Sequence, residues 1–330
     1  MNFQTIGIVA PGAWGTALAL AIARAGRDVL LWARDPDLVR QMQTRRENTR
    51  YLPGIPLEGR IRITDSLKDL AGADVVLLVT PAQVVRETCR ALRPVLADTV
   101  PVILCAKGIE LGTGKLLSEV TAEELSGHSV ATLSGPTFAT EVARGLPTAV
   151  TLACADPALG QALAAALGSP VFRPYVCTDV IGAEVGGAVK NVLAIASGIV
   201  EGKGLGENAR AALITRGLSE ITRLATALGG RAETMMGLSG FGDIILTCTS
   251  RKSRNMSLGY EIGQGKPLKE IMAGRQGVVE GLPTAGAVMA LAQRLGIDMP
   301  ICAAVDTILN HGARVDETIR ILLTRPFRHE

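Results

Sequence analysis

The first half of the chain alternates short, unbroken apolar runs with stretches of helical character, and few folds accommodate that pattern. Thr5–Val9 (TIGIV), Asp28–Trp32 (DVLLW), residues 74–79 (DVVLLV) and residues 100–105 (VPVILC) are apolar at successive positions rather than at every second one. A strand written this way has no face to give to water, so both of its faces must be covered. Further strands are expected at 60–64, 129–133 and 149–154, with helical segments between most of them. Strands of this kind separated by helices predict a doubly wound parallel α/β sheet with helices packed on both sides.

The strand signal fades after about Tyr175. The periodicity that follows predicts helices over 183–199, 208–228, 253–263, 284–295 and 301–309. The change falls near residues 178–182, which divides the 330 residues into an α/β domain (1–180) and an all-helical domain (181–330). Two domains also agree with the length.

Bulk composition removes several function classes. Aromatic residues make up 3% of the chain and the net charge is +3, so neither a base-stacking platform nor a field for nucleic acid is expected. The six cysteines stand singly, without a CxxC, and read as reduced core thiols. The three histidines (His128, His311, His329) form no HExxH, so no metal site is expected. No uninterrupted apolar run of about 18 residues occurs, and the N-terminus enters a strand without a basic leader. The expectation is a cytoplasmic protein without a membrane span.

The turn after the first strand reads Ala10-Pro11-Gly12-Ala13-Trp14-Gly15, a GxGxxG slot with alanine in its first position. Glycines there allow a tight turn and let a pyrophosphate reach backbone N–H groups at a helix start. The preceding strand, the small-residue helix and the second strand at the right distance point to dinucleotide binding and a Rossmann-like sheet, with an ordinary βαβ turn as the alternative. The second strand runs into Arg34 and Asp35. Arg34 suits a 2′-phosphate, so NADP(H) is preferred and NAD(H) possible; Asp35 stands before Pro36 as a helix cap or a ribose ligand.

Between residues 181 and 200 the only charged residues are Glu184 and Lys190, and lysines number 8 against 26 arginines. An ammonium among Val, Ala, Ile and Gly is costly to desolvate, and burial would push its pKa towards the range useful for proton transfer. The alternative is a lysine whose stem is buried and whose head reaches water. Lys107 follows the fifth strand and should emerge at the ligand-binding edge of the sheet, as should Ser134-Gly135-Pro136-Thr137-Phe138-Ala139. Asp243, Thr247 and the run Arg251-Lys252-Ser253-Arg254-Asn255 bring a carboxylate and three cations close together in sequence. With Ser253 as a helix cap, that run would cradle a phosphate or carboxylate; a solvated basic turn is the other reading.

Taken together, PGAWGTALA, YLPG, AKGIE, LSGPTFATEVARGLPTAV, AVKNVLAIASGIVEG, LGENARAALITRGLSEI, GLSGFGDIILTCTSRKSRN and VVEGLPTAGAV resemble, in order, the NAD(P)-dependent glycerol-3-phosphate dehydrogenases of the bacterial type. Ala10, Pro11 and Ala13 depart from the family's usual Gly, Ala and Ser. The resemblance implies reversible hydride transfer between dihydroxyacetone phosphate and sn-glycerol 3-phosphate, serving glycerophospholipid synthesis. It implies Lys190 as the proton donor and acceptor on the C2 oxygen, with Lys107, Asp243 and Asn191 assisting. It implies that Lys107, Gly135, Thr137, Lys190, Asp243, Ser253, Arg254 and Asn255 line the substrate. The cofactor would meet Gly12, Ala13, Trp14, Gly15, Arg34, Lys107, Ala139, Arg254, Val278 and Glu280. A homodimer is the expected assembly. The rival readings are a dehydrogenase for a 3-hydroxy acid, a hydroxyacyl thioester or ketopantoate, and a catalytically silent nucleotide sensor.

Overall fold

The computed structural model describes residues 3–275 and 277–326, which leaves His329 outside the described residues. Its contacts divide into two units. The first comprises Met1–Lys107 and Leu116–Glu184, the second Gly108–Lys115 and Val185–Glu330.

The first unit opens β1 (Thr5–Val9), α1 (Ala13–Arg24), β2 (Asp28–Trp32), α2 (Pro36–Arg45) and β3 (Ile61–Thr64). It continues through β4 (Val75–Leu78), α3 (Val85–Leu92), β5 (Val102–Leu104), α4 (Leu117–Glu124) and β6 (Val130–Ser134). It ends with α5 (Ala139–Ala143), β7 (Thr148–Cys154), α6 (Pro157–Leu167), β8 (Phe172–Cys177) and the start of α7 (Val180–Gly202). The eight strands form one sheet in the order β3-β2-β1-β4-β5-β6-β7-β8. One face buries Ile6, Ile8, Leu31, Leu77 and Leu133; the other buries Val9, Leu30, Val76, Leu78 and Leu104. This two-sided core is the reason the strands carry no polar alternation.

Two features depart from a purely parallel sheet read from sequence. β7 runs antiparallel to β6. The five residues of α5 rise only about 7.5 Å, too short to carry the chain back along the sheet, so the next strand enters in reverse. β8 was not expected as a strand because FRPYVC interrupts its apolar residues with Arg173 and Pro174. It lies at the sheet edge, where a proline and an exposed Tyr175 cost no ladder bond.

The second unit is helical: the rest of α7, then α8 (Glu207–Ala227), α9 (Ala232–Met235), a π-turn (Leu238–Gly242) and α10 (Asp243–Cys248). There follow α11 (Arg254–Gly263), α12 (Leu268–Ala273), α13 (Gly281–Leu295), α14 (Pro300–His311) and α15 (Val315–Leu323). α7 is long and apolar enough to cross a bilayer by length and composition, but 89% of its apolar window is buried inside the protein. It is the central helix of this unit. The contact division falls between Glu184 and Val185, inside α7, and attaches Gly108–Lys115 to the helical unit. A single boundary near residue 180 could not express that excursion.

Candidate functional site

In the first unit the order of strands reverses between β1 and β4, and ligands of such sheets bind at the carboxyl ends of strands beside that switch. Ala10 follows β1 with φ of +87°, a left-handed conformation that a β-carbon disfavours. A β-carbon on Gly15 would overlap the carbonyl oxygen of Ala10, so only glycine fits there. Gly12 precedes α1, and nothing lies within 4 Å of where its β-carbon would stand. The helix's first internal bond runs from Thr16 N to Gly12 O at 2.9 Å, so the N–H groups of Ala13, Trp14 and Gly15 point out of the helix start. Asn48, fully buried, holds the turn by donating to Pro11 O at 2.7 Å and to Thr16 Oγ1 at 2.8 Å. An open helix N-terminus with bare backbone donors fits a dinucleotide pyrophosphate.

At the end of β2, Asp35 caps α2: its Oδ1 accepts from Asp37 N at 3.0 Å and Leu38 N at 3.3 Å. Its other oxygen accepts from Arg50 at 2.8 Å, and that guanidinium, then the Leu38 N–H, hold the carboxyl below its ordinary range. Arg34 is exposed and has no side-chain partner among the described residues. Beyond β5, Lys107 Nζ donates to Gly135 O at 3.1 Å. Gly135 follows β6 with φ of +154°, and a β-carbon there would come within 2.9 Å of the Val150 backbone. Thr137 turns its hydroxyl towards the same carbonyl at 3.4 Å, and Ala139 begins α5. Lys107, Gly135 and Thr137 therefore form one cluster.

In the second unit Lys190 is 7% exposed on α7. Its Nζ donates to Asp243 Oδ1 and to Thr247 Oγ1, each at 2.6 Å. Asp243 and Thr247 stand four residues apart on α10, and the Thr247 hydroxyl also donates to Asp243 Oδ1 at 3.2 Å. Lys190 is buried, as its apolar surroundings in the sequence suggest, but it has a charged partner there. A fully buried carboxylate faces it and favours the ammonium, opposing the desolvation that disfavours it. Cys248 lies beside the pair, its thiol pushed up to about 12 by burial.

Glycines bring these helices together. Beside Gly186 of α7 runs the backbone of Ser239 and Gly240 in the π-turn that leads into Asp243. Further along, Gly198 and Gly202 meet α11 backbone, and Gly259 and Gly263 meet α7 backbone in return. Side chains at these positions would separate α7 from α11, a small-residue crossing with spacing of four on both helices. That crossing sets Asn191 against Asn255, whose Nδ2 donates to Asn191 Oδ1 at 2.9 Å. Asn255 Oδ1 in turn accepts Gly281 N–H at 3.0 Å. Asn255 is thus engaged at both ends of its amide, rather than a simple donor beside Arg254.

Ser253 caps α11, its hydroxyl accepting Met256 N–H at 3.2 Å. Arg254, the next residue, is exposed, and no side chain among the described residues pairs with its guanidinium. Arg251 is committed to Glu201 at 2.6 Å and stacks over Tyr260, so the basic run supplies fewer available cations than its composition indicates. Val278 is exposed and Glu280 stands at the start of α13.

Sequence reasoning did not assign Thr247, Asn48 or Gly281. The first had a signal, since a hydroxyl four residues after Asp243 shares its helix face. The other two act through tertiary contacts that spacing does not encode. Among the described residues no group of three His, Cys, Asp or Glu side chains converges for a metal.

Two family models together match most of the chain. One, the NAD-dependent glycerol-3-phosphate dehydrogenase N-terminus, covers residues 5–160, and the corresponding C-terminus model covers 179–320. The glycerol-3-phosphate dehydrogenase [NAD(P)+] of Parvibaculum lavamentivorans is 56% identical over 330 residues, covering 100% of this chain and 99% of that protein. Among solved structures, glycerol-3-phosphate dehydrogenase from Coxiella burnetii superposes with a TM-score of 0.94 at 42% identity, covering 98% of this chain and 99% of that one. The enzyme from Saccharomyces cerevisiae superposes with a TM-score of 0.84 at 30% identity, covering 98% and 99%.

Proposed function

Since the chain belongs to the NAD-dependent glycerol-3-phosphate dehydrogenase family, we propose that it interconverts dihydroxyacetone phosphate and sn-glycerol 3-phosphate. The observation that carries this reading is the buried trio of Lys190, Asp243 and Thr247. The reduced nicotinamide, when bound, supplies a hydride to C2 of the ketone. What remains is a proton for the C2 oxygen and cations for the negative charge that develops there. Lys190 gives that proton in the reducing direction and takes it back in the other. Asp243 and Thr247 hold the amine in place by its two hydrogen bonds. Lys107 adds a second positive charge, and the amide of Asn191 a hydrogen bond.

The phosphate dianion calls for a planar, fork-shaped donor, which Arg254 provides. Gly135, Thr137, Ser253 and Asn255 complete the substrate's surroundings in this assignment. For the cofactor, Gly12, Ala13, Trp14 and Gly15 would receive the pyrophosphate, with Lys107, Ala139, Arg254, Val278 and Glu280 as the remaining contacts. Preference for NADP(H) over NAD(H) is supported by the unpaired Arg34 and by Asp35, whose two oxygens already serve the α2 cap and Arg50. The product's chemistry suits the backbone of glycerophospholipids, and a homodimer in the cytoplasm is the assembly we take it to form.

The test is steady-state oxidation of NADPH and NADH, side by side, with dihydroxyacetone phosphate, ketopantoate and a 3-keto acid. Turnover confined to the phosphorylated ketone, with NADPH favoured, is the expected result. Turnover of ketopantoate instead would move the assignment to a different dehydrogenase, and none at all would favour a silent nucleotide sensor.

A further inference from the structure

Glu184 is the one charged residue near Lys190 on α7 that the proposed chemistry leaves unused. It is 6% exposed. Its Oε1 accepts Ser118 N–H at 2.9 Å, and its Oε2 accepts the Ser118 hydroxyl. These donors belong to the first turn of α4, a helix whose own N-cap residue makes no side-chain capping bond. Glu119 of the same turn takes up the Leu116 N–H at 2.7 Å, and Glu184 takes up the Ser118 N–H, which the helix cannot satisfy itself. Glu184 is therefore a second cap of α4, supplied by another helix.

The places in the chain that this contact joins give it a second meaning. After Lys107 the chain leaves the first unit for residues 108–115 and returns at Leu116, two residues before Ser118. Glu184 is the last residue of the first unit before α7 continues into the second. Lys190 follows six residues on, about 9 Å along the helix axis. So within the first unit one side chain fastens the return of the Lys107 excursion to the helix that carries Lys190.

We propose that Glu184 is a positioning residue for Lys190, setting the axial place and rotation of α7 through its double hydrogen bond to Ser118. The proposal rests on the reading of Lys190 as a working group. A cap that served folding alone would affect melting and leave turnover in the folded protein untouched. A cap that sets α7 must affect kcat, because displacement of a reacting group by about 1 Å can cost on the order of a hundredfold in rate.

The experiment compares wild type with Glu184→Ala, Glu184→Gln and Ser118→Ala, assayed well below each variant's melting temperature. Glu184→Ala is expected to lower kcat by roughly tenfold or more, with the KM for NADPH within about twofold, because the α1 turn is not touched. Glu184→Gln keeps an oxygen for Ser118 N–H and should retain most of the rate. Ser118→Ala removes only the hydroxyl and should lower kcat by about two- to fivefold, with melting reduced by a few degrees for the hydrogen bond lost to a buried carboxyl. If Glu184→Ala does not fold, the last two variants decide. Wild-type kcat in folded Ser118→Ala or Glu184→Ala, with any loss confined to melting temperature, overturns the proposal. Absence of turnover in the wild type would instead overturn the reaction on which it rests.

Discussion

Lys190 Nζ and Asp243 Oδ1 stand 2.6 Å apart with 9% and 1% of their side chains exposed, so each charge relies on the other for solvation. Breaking such a pair from one side leaves a buried charge uncompensated, at a cost of about 3–5 kcal/mol. Asp243→Asn should therefore lose stability and also lower kcat by about a hundredfold, since the amide no longer holds the ammonium. Lys190→Ala should abolish turnover and leave NADPH affinity near wild type, because the α1 turn is intact. Steady-state kinetics with a fluorescence titration of NADPH checks both, and wild-type-like turnover in Lys190→Ala would defeat the assignment.

Arg254 differs from Arg251 in that no side chain among the described residues pairs with it. Removing an unpaired, exposed guanidinium costs the fold little, whereas losing a charge-assisted contact to a phosphate costs about 1.5–3 kcal/mol. Arg254→Ala should then raise the KM for dihydroxyacetone phosphate by roughly ten- to a hundredfold, with melting unchanged. Inorganic phosphate as a competitive inhibitor supplies the control: it should weaken in parallel. A KM that stays put shows that the phosphate sits elsewhere.

Arg34 and Asp35 make opposite offers to a ribose, and the hydrogen bonds of Asp35 decide between them. With the oxygens of Asp35 on the α2 cap and Arg50, Arg34 is the side chain we propose to meet a 2′-phosphate. Arg34→Ala should raise the KM for NADPH by about tenfold or more while the KM for NADH moves by less than about twofold. An equal effect on both cofactors would count against a 2′-phosphate contact.

Ala10 occupies a backbone conformation suited to glycine, with φ of +87°. Relief of that strain, about 1–2 kcal/mol, outweighs the extra chain entropy that glycine loses on folding, about 0.5–1 kcal/mol. Ala10→Gly should raise the melting temperature by about 1 °C, visible by calorimetry. Gly15→Ala would drive a methyl into the Ala10 carbonyl and should abolish cofactor binding by displacing the start of α1.

Much of this was legible in the sequence because the determinants were local. TIGIV, DVLLW and DVVLLV announce a two-sided sheet through composition alone, and Asp35-Pro36 marks its helix start at the residue where the cap forms. Lys190 was visible as a charge without local reason. Its partner was not, because 53 residues separate Lys190 from Asp243, and tertiary contacts such as the close approach at Gly186 and the Ser197 bond to Cys248 O bring their helices together. The reversed β7 was hidden for a related cause: strand direction depends on how far α5 can carry the chain, which a strand's own residues do not record. Asn255 shows the same limit, since its neighbour Arg254 advertised a phosphate fork while its amide was spent on Asn191 and Gly281.

Glu184 also predicts how stability depends on pH. Burial, the largest influence, lifts its carboxyl from an ordinary 4.5 to about 7, against the hydrogen bonds from Ser118. Below about pH 4.5 the folded and unfolded chains both hold this proton, and the contribution is fully present. As the pH rises towards 7 the unfolded chain has lost the proton and the folded chain still keeps it, so unfolding is favoured by about 1.4 kcal/mol per pH unit. Above about 7 both states are ionised and the loss levels off. Glutamine carries no such proton, so the stability of wild type relative to Glu184→Gln should fall between roughly pH 5 and 7 and then stay flat. Denaturant melts of the two proteins across that range measure the difference directly. A difference that rises with pH would mean the Ser118 bonds hold Glu184 ionised throughout, with its carboxyl below the ordinary value instead of above it.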